Sequence, residues 1–181
     1  MDLISQARQI EKKIKGNMSF NEDLSKFSWF NLGGPAKIVF RPKDLKDLSF
    51  FLREIKAEEE IKVMGVGSNT LIRDGGFNGI IIRLGPSFSR MSKLDSNSLI
   101  CGASALDKQV SKFALNNSLS GFEFFSCIPG TIGGAIRMNS GCYNDDVSKA
   151  LLSVQAMDFN GNVRIIPLSK IKFHYRGSNL D

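Results

Sequence analysis

The segment IPGTIGGAIRMNSG, residues 128–141, is the most informative stretch of this 181-residue chain. Its four glycines and several small residues leave a surface that another backbone or a flat ring can approach closely. A purely steric alternative is a turn that packs tightly against a helix. The segment has no simple helical or strand period, so its surroundings must decide between the two interpretations.

A second glycine segment, VMGVGSNTL at residues 63–71, follows a strand-like alternation. Gly65 and Gly67 flank one residue, so the backbone can turn sharply and expose consecutive amide N–H groups, which suit a pyrophosphate. Ser68 and Asn69 add short hydrogen-bonding side chains. The segment lacks the third glycine of a Rossmann fingerprint and the Gly-Lys-Ser/Thr of a P-loop. A tight structural turn is the alternative.

A third segment, FHYRGS at residues 173–178, contains the permanently charged guanidinium of Arg176. It could stabilise negative charge on a bound ring system or on a substrate carboxylate. The alternative is a surface arginine with aromatic neighbours. His174 is the one histidine of the chain, and we expect it to be structural rather than a base.

The remaining sequence predicts two lobes after an N-terminal helix. Apolar residues at helical spacing predict that helix, followed by a polar connector, within residues 1–24. Residues 25–84 have the pattern strand, helix, strand, glycine loop and strand, with Asp44 as the helix cap. Residues 85–181 then contain a strand, a helix and a hairpin that turns at an Asn-Gly pair ending in Gly161.

Composition limits the classes of partner. The net charge of +6 suits an anionic ligand, but the charge is spread along the chain and no basic run alternates with aromatic residues, so we expect no nucleic acid. No apolar run is long enough to span a membrane, and the N-terminus does not resemble a secretory signal. We therefore expect a cytoplasmic protein.

The three cysteines, Cys101, Cys127 and Cys142, are an odd number and contain no CxxC pair. With a single histidine, they do not form the ligand pattern of a zinc site. We expect reduced, structural thiols and no bound metal.

Four segments together resemble the UDP-N-acetylenolpyruvoylglucosamine reductase (MurB) family, in the right order along the chain. They are SWFNLGGPA (28–36), GVGSNTL (65–71), IPGTIGGAIRMNSG (128–141) and YRGS (175–178). The resemblance extends from about Ser25 to the last residue, and the third segment is its most specific part. Cys142 stands where family members often have alanine.

The resemblance implies an α+β, two-lobed FAD-binding fold of the vanillyl-alcohol-oxidase/PCMH type, with FAD between the lobes and the C-terminal substrate domain missing. It implies that NADPH reduces FAD, which then reduces UDP-N-acetylglucosamine enolpyruvate to UDP-N-acetylmuramate for peptidoglycan synthesis. We expect a monomer that is inactive alone, because that missing domain supplies the UDP-sugar site and the proton donor. A nucleotide-binding module without redox turnover, or another flavin oxidoreductase of this fold, is the alternative.

The resemblance also implies roles for individual residues. Arg176 is the implied catalytic residue, which stabilises an enolate-like intermediate, and Tyr175 shares the substrate site with it. The residues implied to bind FAD are Gly65, Val66, Gly67, Ser68, Asn69, Leu71, Pro129, Gly130, Thr131, Gly133, Gly134, Ala135, Asn139 and Gly141.

Overall fold

The computed structural model describes residues 2–55 and 60–180 and divides into two compact units. Unit 1 contains residues 1–87 and 157–163, and unit 2 contains residues 88–156 and 164–181.

Unit 1 contains a four-stranded sheet in the order β1-β2-β4-β3. Strand β1 (Asn17–Asp23) is antiparallel to β2 (Pro35–Arg41), whereas β4 (Phe77–Ile82) is parallel to both β2 and β3 (Ile61–Val63). The three isoleucines at 80–82 are buried, as expected for a central strand that is covered on both faces. The predicted order of strand, helix, strand, glycine loop and strand is confirmed.

The polar connector predicted after the N-terminal helix is wrong, because most of it forms β1. Sequence pattern missed this strand since its residues, NMSFNED, are mostly polar and only Met18 is buried. An edge strand needs few apolar residues when main-chain pairing holds it, and β1 pairs with β2 from Asn17 to Asp23.

Two helices accompany this sheet, α1 (Leu3–Glu11) and α2 (Leu45–Glu54). Asp44 caps α2 as predicted, since its carboxylate accepts a hydrogen bond from the amide of Asp47 at 2.9 Å. Phe51 of α2 stacks on Phe40 of β2 with ring centroids 4.1 Å apart, and both side chains are fully buried.

The carboxylate of Asp47 joins two separate stretches of main chain through three amides. It accepts hydrogen bonds from the amides of Lys15, Gly16 and Lys43 at 2.8, 2.8 and 2.9 Å. The side chain is buried, and these donors replace the water that a carboxylate loses on burial. Asp47 therefore fixes the chain between α1 and β1 to the start of α2.

Unit 2 consists of short strand pairs around three helices, with a core that includes Val110, Phe124, Phe125 and Ile132. Its elements are β5 (Met91–Lys93), β6 (Leu99–Cys101), α3 (Asp107–Asn116), α4 (Ile132–Arg137), β7 (Gly141–Cys142), β8 (Asp145–Asp146), α5 (Val147–Ala150), β9 (Ser153–Met157), β10 (Val163–Pro167), β11 (Phe173–His174) and β12 (Gly177–Ser178). Strands β9 and β10 form a hairpin, and the tip of this hairpin, residues 157–163, is counted in unit 1.

The hairpin is confirmed, and Gly161 has the positive φ of +74° that its turn needs.

Asp107, the first residue of α3, carries an unpartnered carboxyl group in unit 2. The residue is fully buried, and neither of its carboxyl oxygens has a hydrogen-bond partner among residues 2–55 and 60–180. Burial without donors disfavours the charged form, so the pKa of Asp107 is raised to about 7. Nearby Cys101 has its own pKa raised to about 11 by burial and by Asp107.

Because Asp107 has a higher pKa when folded than when unfolded, the native chain holds its proton more tightly. The stability from this proton is present at low pH and is lost as the pH rises from about 4 to about 7. We predict that the free energy of unfolding of the wild type, relative to Asp107→Asn, falls by up to about 1.4 kcal/mol per pH unit in this window. Urea unfolding of both proteins from pH 4 to 8 measures this difference. A difference that does not change with pH would contradict the assignment.

Candidate functional site

The loop at residues 65–69 leaves β3 and presents a run of unused main-chain donors. The amide of Met64 still donates to the carbonyl of Ile82 at 2.9 Å, which ties the end of β3 to β4. From Gly65 to Asn69, however, no amide N–H donates to any group within residues 2–55 and 60–180. Consecutive unpaired N–H groups at a strand end form a concave site for an anion.

Gly67 gives this loop its shape. Its φ is +72°, a conformation that side chains other than hydrogen disfavour. A Cβ atom there would lie 2.0 Å from the carbonyl oxygen of Phe27, and the carbonyl of Gly67 accepts a hydrogen bond from the amide of Trp29 at 3.1 Å. Close packing against Phe27 therefore requires a glycine here, and the amides on either side of Gly67 donate to no group in the described residues.

The predicted segment at 28–36 begins beside this loop. The hydroxyl of Ser28 donates to the carbonyl of Thr70 at 3.2 Å, which joins the two segments. Trp29, Phe30 and Leu71 are 61%, 56% and 70% exposed, although large apolar side chains are usually covered. An amide-lined loop with uncovered aromatic and aliphatic side chains suits a ligand that has both anionic and apolar parts.

Two arginines lie over the ring of Phe27, the residue whose carbonyl packs against Gly67, and the sequence analysis identified neither of them. Their guanidinium carbons are 4.1 Å (Arg83) and 5.0 Å (Arg41) from the ring centroid of Phe27. Arg41 is paired with Glu22 at 2.9 Å, but the Nε of Arg83 is buried without a partner in the described part of the chain. Burial and the charge of Arg41 lower the pKa of Arg83.

The position of Arg83 in the sequence could have indicated that it lies near a ligand site. It directly follows the isoleucine run at 80–82, so it lies at the carboxyl edge of the parallel strands. That edge is where open α/β sheets bind their ligands.

The segment at 128–141 is built differently, because many of its amides bond to the chain itself. It contains α4, and the amides of Ile132 and Gly133 donate to the carbonyls of Ala105 and Ala103 at 3.0 and 2.8 Å. A Cβ atom on Gly133 would lie 3.2 Å from the Cβ of Ala103. Gly133 therefore allows close packing against Ala103. Unlike the loop at 65–69, this segment uses many of its amides in hydrogen bonds within the chain.

Other predicted residues of this segment also have contacts within unit 2. A Cβ atom on Gly130 would lie 2.5 Å from the carboxylate of Asp107. Asn139 has a φ of +43°, and its side-chain oxygen accepts a hydrogen bond from the amide of Ser148 at 3.1 Å. Gly134, in contrast, is exposed, and the nearest atom to a Cβ there would be 3.7 Å away. Gly134 therefore marks the open face of α4.

The Tyr175-Arg176 pair lies in the turn between β11 and β12. Both side chains are exposed, Tyr175 to 88%, and Arg176 has a φ of +58°. The turn is anchored to α4, because the hydroxyl of buried Ser178 donates to the carbonyl of Arg137 at 3.0 Å and the guanidinium of Arg137 donates to the carbonyl of Ser178 at 2.9 Å.

The structure thus groups the four predicted segments in pairs. Segments 28–36 and 65–71 meet in unit 1, and segments 128–141 and 175–178 meet in unit 2. Within residues 2–55 and 60–180, no three His, Cys, Asp or Glu side chains are arranged to hold a metal ion. None of the helices in this part of the chain has the length and apolar character needed to cross a membrane.

Sequence comparison finds relatives along nearly the whole chain. The model of the FAD binding domain family matches residues 36–166. A UDP-N-acetylenolpyruvoylglucosamine reductase of Pelagibacter ubique (strain HTCC1062) is 48% identical over 177 residues, which are 98% of this chain and 59% of the relative. The same-named protein of Rickettsia canadensis (strain McKiel) is 42% identical over 92% of this chain and 56% of its own length. The chain thus spans less than two thirds of these relatives.

Structural comparison gives a consistent result. The UDP-N-acetylenolpyruvylglucosamine reductase (MurB) of Thermus caldophilus has a TM-score of 0.76 at 27% identity, over 93% of this chain and 58% of that one. The 6-hydroxy-D-nicotine oxidase of Arthrobacter nicotinovorans has a TM-score of 0.63 at 14% identity, over 87% of this chain and 37% of that one, and so shares the fold alone.

These comparisons confirm the predicted α+β FAD-binding fold and FAD as the cofactor. The unpaired amides at 65–69 fit this cofactor, whose pyrophosphate is an anion that such a loop can bind. Because the family model covers most of its length, this chain belongs to the FAD binding domain family.

Proposed function

We propose that this chain supplies the flavin-binding part of a UDP-N-acetylenolpyruvoylglucosamine reductase. The 48% identity to a reductase of that name, over 98% of this chain, supports the proposal. The structural observation that carries it is the run of unpaired amides at 65–69, beside exposed aromatic side chains. The proposed reaction is the NADPH-dependent reduction of UDP-N-acetylglucosamine enolpyruvate to UDP-N-acetylmuramate, in cytoplasmic peptidoglycan synthesis.

Binding of FAD is proposed to involve residues of both lobes, 25–84 and 85–181. The amides at 65–69 would hold the pyrophosphate, with the side chains of Ser68 and Asn69 as further donors, and the positive charge of Arg83 would favour the anion. The exposed surface at Gly134 on α4 would accept a flat ring, because Gly134 itself has no side chain and nothing lies closer than 3.7 Å to a Cβ there.

Arg176 is proposed as the active-site cation, with Tyr175 at the substrate site. Bound FAD would supply the hydride chemistry, and this chain would supply placement and charge. A guanidinium in an exposed turn can meet a substrate carboxylate and stabilise the negative charge that develops during reduction. The two hydrogen bonds between Ser178 and Arg137 hold that turn on α4 and so limit the movement of Arg176.

We predict that the purified chain binds FAD and that NADPH reduces the bound flavin. Absorbance spectra after reconstitution and removal of free FAD should show flavin bands, and these bands should bleach when NADPH is added without oxygen. Absence of the bands would contradict the assignment of the cofactor. Flavin bands that NADPH leaves unchanged would favour a binding module without redox turnover.

We predict that Gly67→Ala weakens FAD binding by roughly tenfold or more, because about 1–3 kcal/mol of backbone strain is typical for such a site. The new Cβ atom would meet the carbonyl of Phe27 and force the loop out of its shape. Gly75→Ala is the matched control, since no atom lies within 4 Å of a Cβ at that position and its φ is not positive.

Fluorescence titration with FAD measures both variants, and circular dichroism checks that each remains folded. Equal FAD affinities for a folded Gly67→Ala variant and the Gly75→Ala control would contradict the proposed role of the loop.

A further inference from the structure

Cys127 and Cys142 lie together at the two ends of the segment 128–141. Their sulfur atoms are 2.8 Å apart, although 15 positions separate the residues in the sequence. Cys127 ends the 3-10 turn Glu123–Cys127 and Cys142 ends β7, so each is held by regular structure. All three cysteines of the chain are free thiols, but only this pair is in contact.

The backbone around Phe124 holds the two sulfurs in place. Both thiols lie within hydrogen-bonding distance of the Phe124 carbonyl oxygen, Cys127 at 3.3 Å and Cys142 at 3.2 Å. A disulfide has its sulfurs about 2.0 Å apart, so the pair needs a further approach of roughly 0.8 Å. This approach is small compared with the movement needed to bring two distant cysteines together.

The two thiols are not equivalent. Cys127 is exposed, whereas Cys142 is partly covered, and its hydrogen bond to Cys127 and its burial raise the pKa of Cys142 to about 11. Either sulfur can donate in the contact between the two thiols, and the raised pKa keeps the Cys142 thiol protonated at neutral pH. A reagent in solution reaches the exposed sulfur of Cys127 first. Cys142, whose sulfur is 2.8 Å away, can follow once its proton passes to the departing thiolate.

We propose that Cys127 and Cys142 are a redox-active pair that forms a reversible disulfide by exchange with a low-molecular-weight disulfide such as oxidised glutathione. The sulfur of Cys127 attacks the reagent and displaces one thiol, which leaves a mixed disulfide. Cys142 then attacks the sulfur of Cys127 and releases the second thiol. The cysteines lose two electrons and two protons, and the two released thiols gain them.

The disulfide would join the two ends of the segment that carries all the residues predicted to bind FAD in unit 2. Formation of this disulfide requires only the two thiols and an oxidant. It can therefore be tested independently of flavin binding. Cys101 is not part of the pair, because it lies in β6 and no contact joins its thiol to either sulfur within residues 2–55 and 60–180.

The test uses the reduced chain in glutathione buffers of increasing oxidised fraction, without FAD. After acid quenching, thiol counts in denaturant and peptide mass mapping follow each cysteine. We expect the thiols of Cys127 and Cys142 to disappear together, with one cross-linked peptide that is lighter by two hydrogen atoms. Excess dithiothreitol should restore both thiols.

Single variants provide the matched controls. Cys101→Ser should behave like the wild type, whereas Cys142→Ser should accumulate a glutathione adduct on Cys127, because no second thiol resolves it. Three results in the wild type would overturn the proposal. These are thiols that do not react, a glutathione adduct on Cys127 that persists beside a free Cys142, and a disulfide that includes Cys101.

Discussion

The contact between Gly67 and the carbonyl of Phe27 is the constraint on which the unit 1 site depends. It leaves no room for a side chain at Gly67 and holds the backbone at a φ of +72°. In this conformation the amides from Gly65 to Asn69 donate to no acceptor in the described part of the chain. Most residues of this loop are partly or fully exposed, so their amides are open to a bound anion.

The two glycine segments show that similar composition can serve different physical purposes. At 65–69 a single glycine with a positive φ lies within a run of unpaired donors. At 128–141 the amides of Ile132 and Gly133 bond to the turn between β6 and α3, and Gly133 brings α4 close to Ala103. Of the glycines in this segment, Gly134 is the one where a Cβ would meet nothing closer than 3.7 Å. The first segment therefore offers hydrogen bonds, and the second offers a close, flat surface.

Much of unit 1 could be predicted from sequence because its signals are local. The isoleucine run of β4, the cap at Asp44 and the positive φ of Gly161 each follow from one or a few neighbouring residues. Strand β1 could not be predicted in this way, since its stability comes from pairing with β2 rather than from its own polar sequence. Propensity says little about a strand that tertiary pairing determines.

The parts of the site that sequence missed all depend on long-range contacts. The anchoring of Ser178 by Arg137, the placement of Arg83 on Phe27 and the meeting of Cys127 with Cys142 join residues that are 15 to 56 positions apart. No local period signals such contacts. The resemblance to a known family predicted the cofactor and the candidate residues. It did not explain which physical contact requires a glycine at each position, such as the packing of Gly67 on Phe27.

The most direct test of the central claim is the response of the individual amides at 65–69 to the ligand. Two-dimensional ¹H–¹⁵N NMR of the chain, recorded with and without FAD and then with adenosine diphosphate, reports each N–H separately. We expect the signals from Gly65 to Asn69 to show the largest downfield proton shifts with both ligands, because both carry the pyrophosphate. Binding of FAD that leaves these five signals unchanged would contradict the account.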